Sequence, residues 1–169
     1  MKNMASGPDG GIRCLVRFFV EVIEGMNDNR WYVHHIKVRY AETDQMGVVY
    51  HANYLTWFEI GRTEMIRQLG YPYRKIEERG LLLPVVDLGM TFVKPAFYDD
   101  LVRISTRVTQ CTNIRLSFEV KIERVHSESD ESGELLVTGY TKHVWLNRQW
   151  KPVRIDREAP DLYALLVQV

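Results

Sequence analysis

Cysteine is nearly missing from this chain of 169 residues: Cys14 and Cys111 are the two it has. They form no CxxC pair, which argues against a zinc ribbon or a thioredoxin-type site, and two thiols make no disulfide framework. A reducing, cytoplasmic setting is the expectation. Net charge is missing too, with 22 Lys and Arg against 22 Asp and Glu. Nucleic-acid-binding domains carry a basic excess, so no nucleic-acid partner is expected. A neutral chain has little mutual repulsion, which favours self-association. No apolar run reaches the roughly 20 residues of a membrane helix. The stretch 14–23 is interrupted by Arg17 and Glu21 and has no small-residue cleavage site after it, so neither a membrane span nor a signal peptide is expected. Metal-ligand spacing is absent: His34 and His35 are adjacent and face opposite ways on a strand. Gly10-Gly11 and Gly47 make no dinucleotide fingerprint. We therefore expect no metal and no cofactor.

What is present is an ordinary globular balance, 46% hydrophobic and 26% charged. The length suits one domain with an appended arm. Residues 6–11 are loop chemistry, and residues 12–24 read as a strand, an amphipathic helix or an interface arm. Met26-Asn27-Asp28 has the look of a protein start. We divide the chain into an N-terminal extension, 1–29, and a compact domain, 30–169.

Periodicity gives an α+β domain. Residues 31–40 alternate, with His34, Ile36, Val38 and Tyr40 on one face, and predict a strand. Residues 53–69 predict a long helix: Leu55, Phe58, Met65 and Leu69 recur at helical spacing, and Asn53 is its expected N-cap. Glu64 and Arg67 are placed to pair, Gly70 suits the C-terminal cap, and Pro72 cannot continue the helix. Residues 81–93 are apolar but broken by Pro84, Asp87 and Gly89, which predicts a bent strand. Residues 101–110 and 116–123 alternate and form a hairpin; 135–145 is a further strand and 160–167 a short helix. The simplest packing curls an antiparallel sheet around the one long helix.

The densest polar cluster lies between the first strand and that helix, in residues 40–54. It joins Asp44, His51, Tyr40, Tyr54 and Gly47, and it runs into a helix N-terminus, where unpaired N–H groups and the dipole favour an oxyanion. Asp44 has the chemistry of a general base or nucleophile, and His51 that of a substrate-orienting group or proton relay. The competing reading makes Asp44 a turn cap and His51 an ordinary hydrogen-bonding histidine. Tyr50, Trp57 and Phe58 either line a pocket or pack in the core.

The segment T-D-x-x-G-V-V-Y-H-x-N-Y resembles the hotdog-fold acyl-CoA thioesterases, in particular the 4-hydroxybenzoyl-CoA thioesterase and YbgC-like family. Trp57-Phe58-Glu59, Gly61-Arg62, Val93-Lys94-Pro95-Ala96 and Asp99-Asp100-Leu101 extend the likeness over residues 31–155. The resemblance implies an α+β hotdog fold, with dimers that pair sheets edge to edge, active sites at the dimer interface, and tetramers as a common state. It implies hydrolysis of an acyl-CoA to free acid and CoA, with Asp44 as the catalytic carboxylate, His51 and Tyr54 lining the site, and Tyr40 adjacent to it. It implies a backbone N–H near Leu82 that polarises the carbonyl, and it makes Lys94 and Arg115 candidate cations for the CoA phosphates. Asp87 departs from the basic residue that some members carry there. The alternatives are an aromatic, dihydroxynaphthoyl-type CoA hydrolase, a hotdog dehydratase or hydratase, and a non-catalytic acyl-CoA binding module. No dehydratase-type His/Asp or His/Glu pattern is found.

Overall fold

The computed structural model describes residues 30–169. The expected extension 1–29, with Cys14, lies outside the described residues. The elements run β1 (Tyr32–Lys37), a 3-10 turn (Tyr40–Glu42), α1 (Asn53–Gln68), α2 (Tyr73–Glu78), β2 (Leu81–Leu82), β3 (Val85–Phe92), β4 (Leu101–Cys111), β5 (Arg115–Val125), β6 (Glu134–Val144), β7 (Leu146–Asn147), α3 (Ile155–Glu158) and α4 (Pro160–Val167). Five strands form one sheet in the order β1-β4-β5-β6-β3, and β2 pairs with β7 in a separate ribbon. Every pairing is antiparallel. The α+β reading therefore holds, and β1 and β3 are the sheet edges. Among the described residues, no helix is long and apolar enough to cross a membrane.

The alternation in β5 is what it promised: Leu116, Phe118, Val120 and Ile122 are all fully buried. They meet α1, which packs over β1, β4 and β5. Two glycines set how close α1 sits. A Cβ on Gly61 would lie 2.4 Å from Thr106 Oγ1 and 2.7 Å from Ile104 Cγ2. A Cβ on Gly139 would lie 2.3 Å from the Gly89 carbonyl oxygen and 2.7 Å from Phe58 Cε2. Neither position has room for a side chain. The helix buries Tyr54, Trp57, Phe58, Arg62, Met65 and Ile66. That stripe is rotated from the expected one, and Leu55 is exposed rather than in the core.

The end of α1 is built as expected. Tyr71 N–H donates to Ile66 O and Gly70 N–H to Arg67 O, with Gly70 at φ 83°, so the orphan carbonyls are satisfied in a Schellman cap. Glu64 and Arg67 do pair. The start differs. Ala52 holds the cap position and no side chain caps the helix. Asn53 is already helical, and its Nδ2 donates instead to the Glu42 carbonyl at 2.7 Å.

Two strand expectations are corrected. The first strand ends at Lys37, and residues 40–42 turn in a 3-10 helix, which removes Tyr40 from the strand face. The stretch 81–93 is two strands in different sheets. Leu81 and Leu82 pair with Asn147 and Leu146, and the chain then crosses Leu83-Pro84 to join β6. Pro84 has no N–H to give a ladder, which is why the break falls there.

Glu42 ties the 40–54 loop to α1. It is a buried carboxylate. Its Oε2 accepts the Arg39 backbone N–H at 2.7 Å, and its Oε1 accepts the Trp57 indole N–H at 3.1 Å. Its backbone carbonyl accepts Tyr50 N–H at 2.9 Å. Burial alone disfavours the charged form, but these hydrogen bonds outweigh it and hold the carboxyl below its ordinary value.

Two predictions follow from this framework. Gly61→Ala should lower stability in chemical denaturation by about 1–3 kcal/mol, the range for overpacking. A change under about 0.5 kcal/mol would mean that α1 moves off the sheet at little cost. Glu42→Gln should cost about 1–3 kcal/mol at pH 7 through its lost charge-assisted bonds. Because folding lowers this carboxyl's pKa, the advantage of wild type should be flat above the ordinary value of 4.5 and should vanish as pH falls through the lowered one. An advantage that persisted well below that range would assign the effect to something other than the charge.

Candidate active site

Asp44 sits at the tip of a tight turn. Its carbonyl accepts Gly47 N–H at 2.9 Å, and its own N–H donates to Val48 O at 2.9 Å. Gly47 has φ 78°, the left-handed region that a Cβ disfavours, so this is the position in the motif where glycine is required. One carboxylate oxygen, Oδ1, accepts Met46 N–H at 2.8 Å. The turn-capping reading of Asp44 is thus correct, and among the described residues it leaves Oδ2 without a hydrogen bond. The two readings are compatible: the bond orients the carboxylate and one oxygen stays available.

The carboxylate lines a cavity of about 290 Å³ whose other walls include Val48, His51, Tyr54, Phe92 and Lys94. The far wall is held in place by three devices. Tyr54 OH accepts Ala96 N–H at 3.0 Å, and burial pushes the Tyr54 phenol up. The Ala96 carbonyl accepts Val49 N–H at 2.9 Å. The N–H groups of Val93 and Lys94 both donate to the carbonyl of Leu136, at 2.8 and 3.1 Å. Leu136 is an extra residue: Val137 lies opposite Ile122 and Leu135 opposite Glu123, so β6 bulges there.

The start of α1 faces this space. The first helical amides, of Asn53, Tyr54 and Leu55, turn back on Tyr50, His51 and Ala52 carbonyls. His51, two residues before the helix, lines the cavity, and its ring lies 4.3 Å from that of Tyr50 at a tilt of 48°.

The structure therefore brings Asp44, His51, Tyr54 and Lys94 together. It does not bring the other sequence candidates to them. Tyr40 is 78% exposed and lies edge-on against Tyr98. Leu82 sits in the β2–β7 ribbon opposite Leu146. Arg115 opens β5 opposite Val144, outside the cavity wall. Lys94 Nζ is paired with Glu134 at 2.5 Å, and Asp87 with Lys142 at 2.7 Å. Trp57 is core rather than pocket and Tyr50 is exposed, while Phe58 serves the core and also a second cavity.

That second cavity, about 220 Å³, opens on the same side of the sheet beside the other end of β3. Its polar end is Arg62, His143 and Thr141, which sequence reasoning passed over. Arg62 is buried. Its Nη1 lies 3.2 Å from the Leu83 carbonyl and 3.2 Å from His143 Nδ1, while His143 Nε2 lies 2.9 Å from Thr141 Oγ1. Burial, then the neighbouring guanidinium, push His143 down to about 4, so the ring is neutral; its Nδ1 lies 3.2 Å from both Arg62 Nη1 and the Leu83 carbonyl oxygen. The signal was there: a charged residue on the buried helical stripe between Phe58 and Ile66, and a histidine alternating with Thr141 and Trp145. Among the described residues, no group of His, Cys, Asp and Glu could hold a metal ion.

Over 127 residues the chain is 37% identical to YneP of Bacillus subtilis, covering 75% of this chain and 88% of YneP. Over 90 residues it is 37% identical to the acyl-CoA thioesterase YbgC of Haemophilus influenzae, covering 53% and 66%. The crystal structure of a DHNA-CoA thioesterase from Staphylococcus aureus superposes with a TM-score of 0.74 at 38% identity, covering 80% and 87%. Its fold is the hotdog fold of these enzymes. Residues 38–164 match the thioesterase-like superfamily, and the chain belongs to that family.

Proposed function

We propose that this protein hydrolyses acyl-CoA thioesters to a free acid and CoA, with Asp44 as nucleophile or general base. The observation that carries the proposal is a carboxylate with one oxygen fixed by Met46 N–H and one left unbonded, in a cavity at the start of α1. The backbone N–H of His51 lies at that helix start, where the dipole supports negative charge on a carbonyl oxygen. It replaces Leu82 as our candidate polarising donor. As a nucleophile, Asp44 adds to the thioester carbonyl and expels the CoA thiolate, giving a mixed anhydride that water cleaves. As a base, it takes a proton from the water that attacks. Lys94 is the cation at the rim. Its pair with Glu134 is exposed and therefore weak, so exchange for a CoA phosphate costs little.

The likeness to the DHNA-CoA thioesterase favours an aromatic acyl group as the second reading. Retention of an oriented, unbonded carboxylate favours catalysis over simple ligand binding, which needs no such group.

The active unit we propose is a homodimer, alone or within a tetramer, joined along β3. This strand is a sheet edge and exposes Val85, Val86, Leu88 and Phe92. An unpaired edge of this kind invites a partner strand, and antiparallel pairing of two identical edges closes on itself about a twofold axis.

Asp44→Asn should lower CoA-thiol release by at least about 100-fold while ligand binding persists. Equal turnover by the variant would remove Asp44 from the chemistry, and no turnover by wild type on short, long and aromatic esters would favour a binding module. Val86→Lys places a charge on the β3 edge and should shift the protein to monomers in sedimentation velocity, with activity lost in parallel. An unchanged assembly would exclude this edge as the interface.

A further inference from the structure

We infer that the cavity between α1, β3 and β6 receives the far end of the acyl group whose carbonyl lies at the partner subunit's catalytic carboxylate, and that Arg62 there selects acyl groups bearing a hydrogen-bond-accepting oxygen, a carboxylate above all. This rests on the thioesterase reading and on the β3-paired dimer.

Both cavities lie on the α1 side of the sheet, as Tyr54 in one and Phe58 in the other show. They flank opposite ends of β3: the Asp44 cavity is walled by Phe92 and Val93, the second by Val85 and Leu88. Antiparallel pairing of β3 with its copy lays the Phe92 end of one protomer beside the Val85 end of the other. Each Asp44 cavity is thereby continued by the partner's second cavity, and the twofold axis makes two such composite sites.

The second cavity also holds a buried charge. Among the described residues, no carboxylate lies within ion-pair distance of Arg62; its Nη1 lies near a carbonyl oxygen and a neutral imidazole, and its guanidinium lies over the Tyr73 ring, 5.5 Å from the centroid. A buried cation without a counter-ion is costly to keep, and such groups in clefts are functional candidates. Burial makes its interaction with an incoming anion stronger than at the surface, and the guanidinium fork matches a carboxylate. The neutral His143 ring packs beside the fork, 3.2 Å from Arg62 Nη1, and lies 2.9 Å from Thr141 Oγ1 on its other side. Leu55, Val85 and Leu88 supply an apolar wall for the carbon chain between the thioester and that oxygen. Glu59 also lines the cavity, but it is exposed and solvated.

The test compares kcat/KM on two length-matched esters, glutaryl-CoA and pentanoyl-CoA, for wild type, Arg62→Met and Arg62→Lys. Wild type should favour glutaryl-CoA. That preference should fall at least about tenfold in Arg62→Met, and by less in Arg62→Lys, which keeps the charge but loses the fork. Co-expression of Asp44→Asn with Arg62→Met then tests the sharing of the site. Each mixed dimer contains one wholly wild-type composite site, so glutaryl-CoA hydrolysis should exceed that of either parent and approach about a quarter of wild type in a random mixture. A wild type that prefers pentanoyl-CoA, a preference unmoved in both Arg62 variants, or mixed dimers no better than the parents would each overturn the inference. If wild type hydrolyses neither these nor any other thioester, the thioesterase reading falls and takes this one with it. Hydrolysis that depends on Asp44 with no role for Arg62 removes this one alone.

Discussion

The structure depends on how closely α1 lies on the sheet. Gly61 against Thr106 and Ile104, and Gly139 against Phe58, allow backbones to approach where any side chain would hold them apart. From that seat the helix projects Tyr54 to the 94–97 loop and Trp57 to Glu42, so the two walls of the Asp44 cavity are both referenced to one rigid element. The same seat buries Arg62 against Leu83 and His143. Both cavities are therefore consequences of one close packing contact, read at the two ends of β3. Sites whose groups are locked by packing and hydrogen bonds keep their geometry far better than groups on free loops.

Much of this was legible in the amino-acid order. Strict alternation in β4 and β5 located the hairpin because their inner faces are buried over Val102, Ile104, Thr106, Leu116, Phe118, Val120 and Ile122, so each of these positions had to be apolar or hydroxylic. Gly70 and Pro72 marked the end of α1 because left-handed backbone and a missing N–H are local properties. The Asp44 motif was legible for the same reason: Gly47, Asp44 and Met46 make a turn within four residues.

The rest depended on distance along the chain. Asn53 has the composition of a helix cap, but a buried carbonyl eleven residues earlier, on Glu42, needed a donor and took its side chain. The break at Leu83-Pro84 is a change of partner from β7 to β6, and nothing local names either partner. Arg62 and His143 are 81 residues apart. Neither was singled out as a site residue, because only the folded sheet brings them within 3.2 Å. Tyr40 failed in another way, because the strand that was to carry it ends three residues earlier in a tight turn.

The bulge at Leu136 separates the fold from the site at the scale of one residue. With Leu136 removed, Leu135 would still face Glu123 and Val137 would still face Ile122, so β5 and β6 would close as a regular ladder. The carbonyl that holds Val93 and Lys94 would be gone. The β5–β6 ladder therefore makes no demand for this residue, whereas the core, in which its side chain is fully buried, and the 93–94 wall of the Asp44 cavity both do. One inserted residue thus serves two ends at once: its side chain fills the core, and its carbonyl anchors the segment that walls the Asp44 cavity.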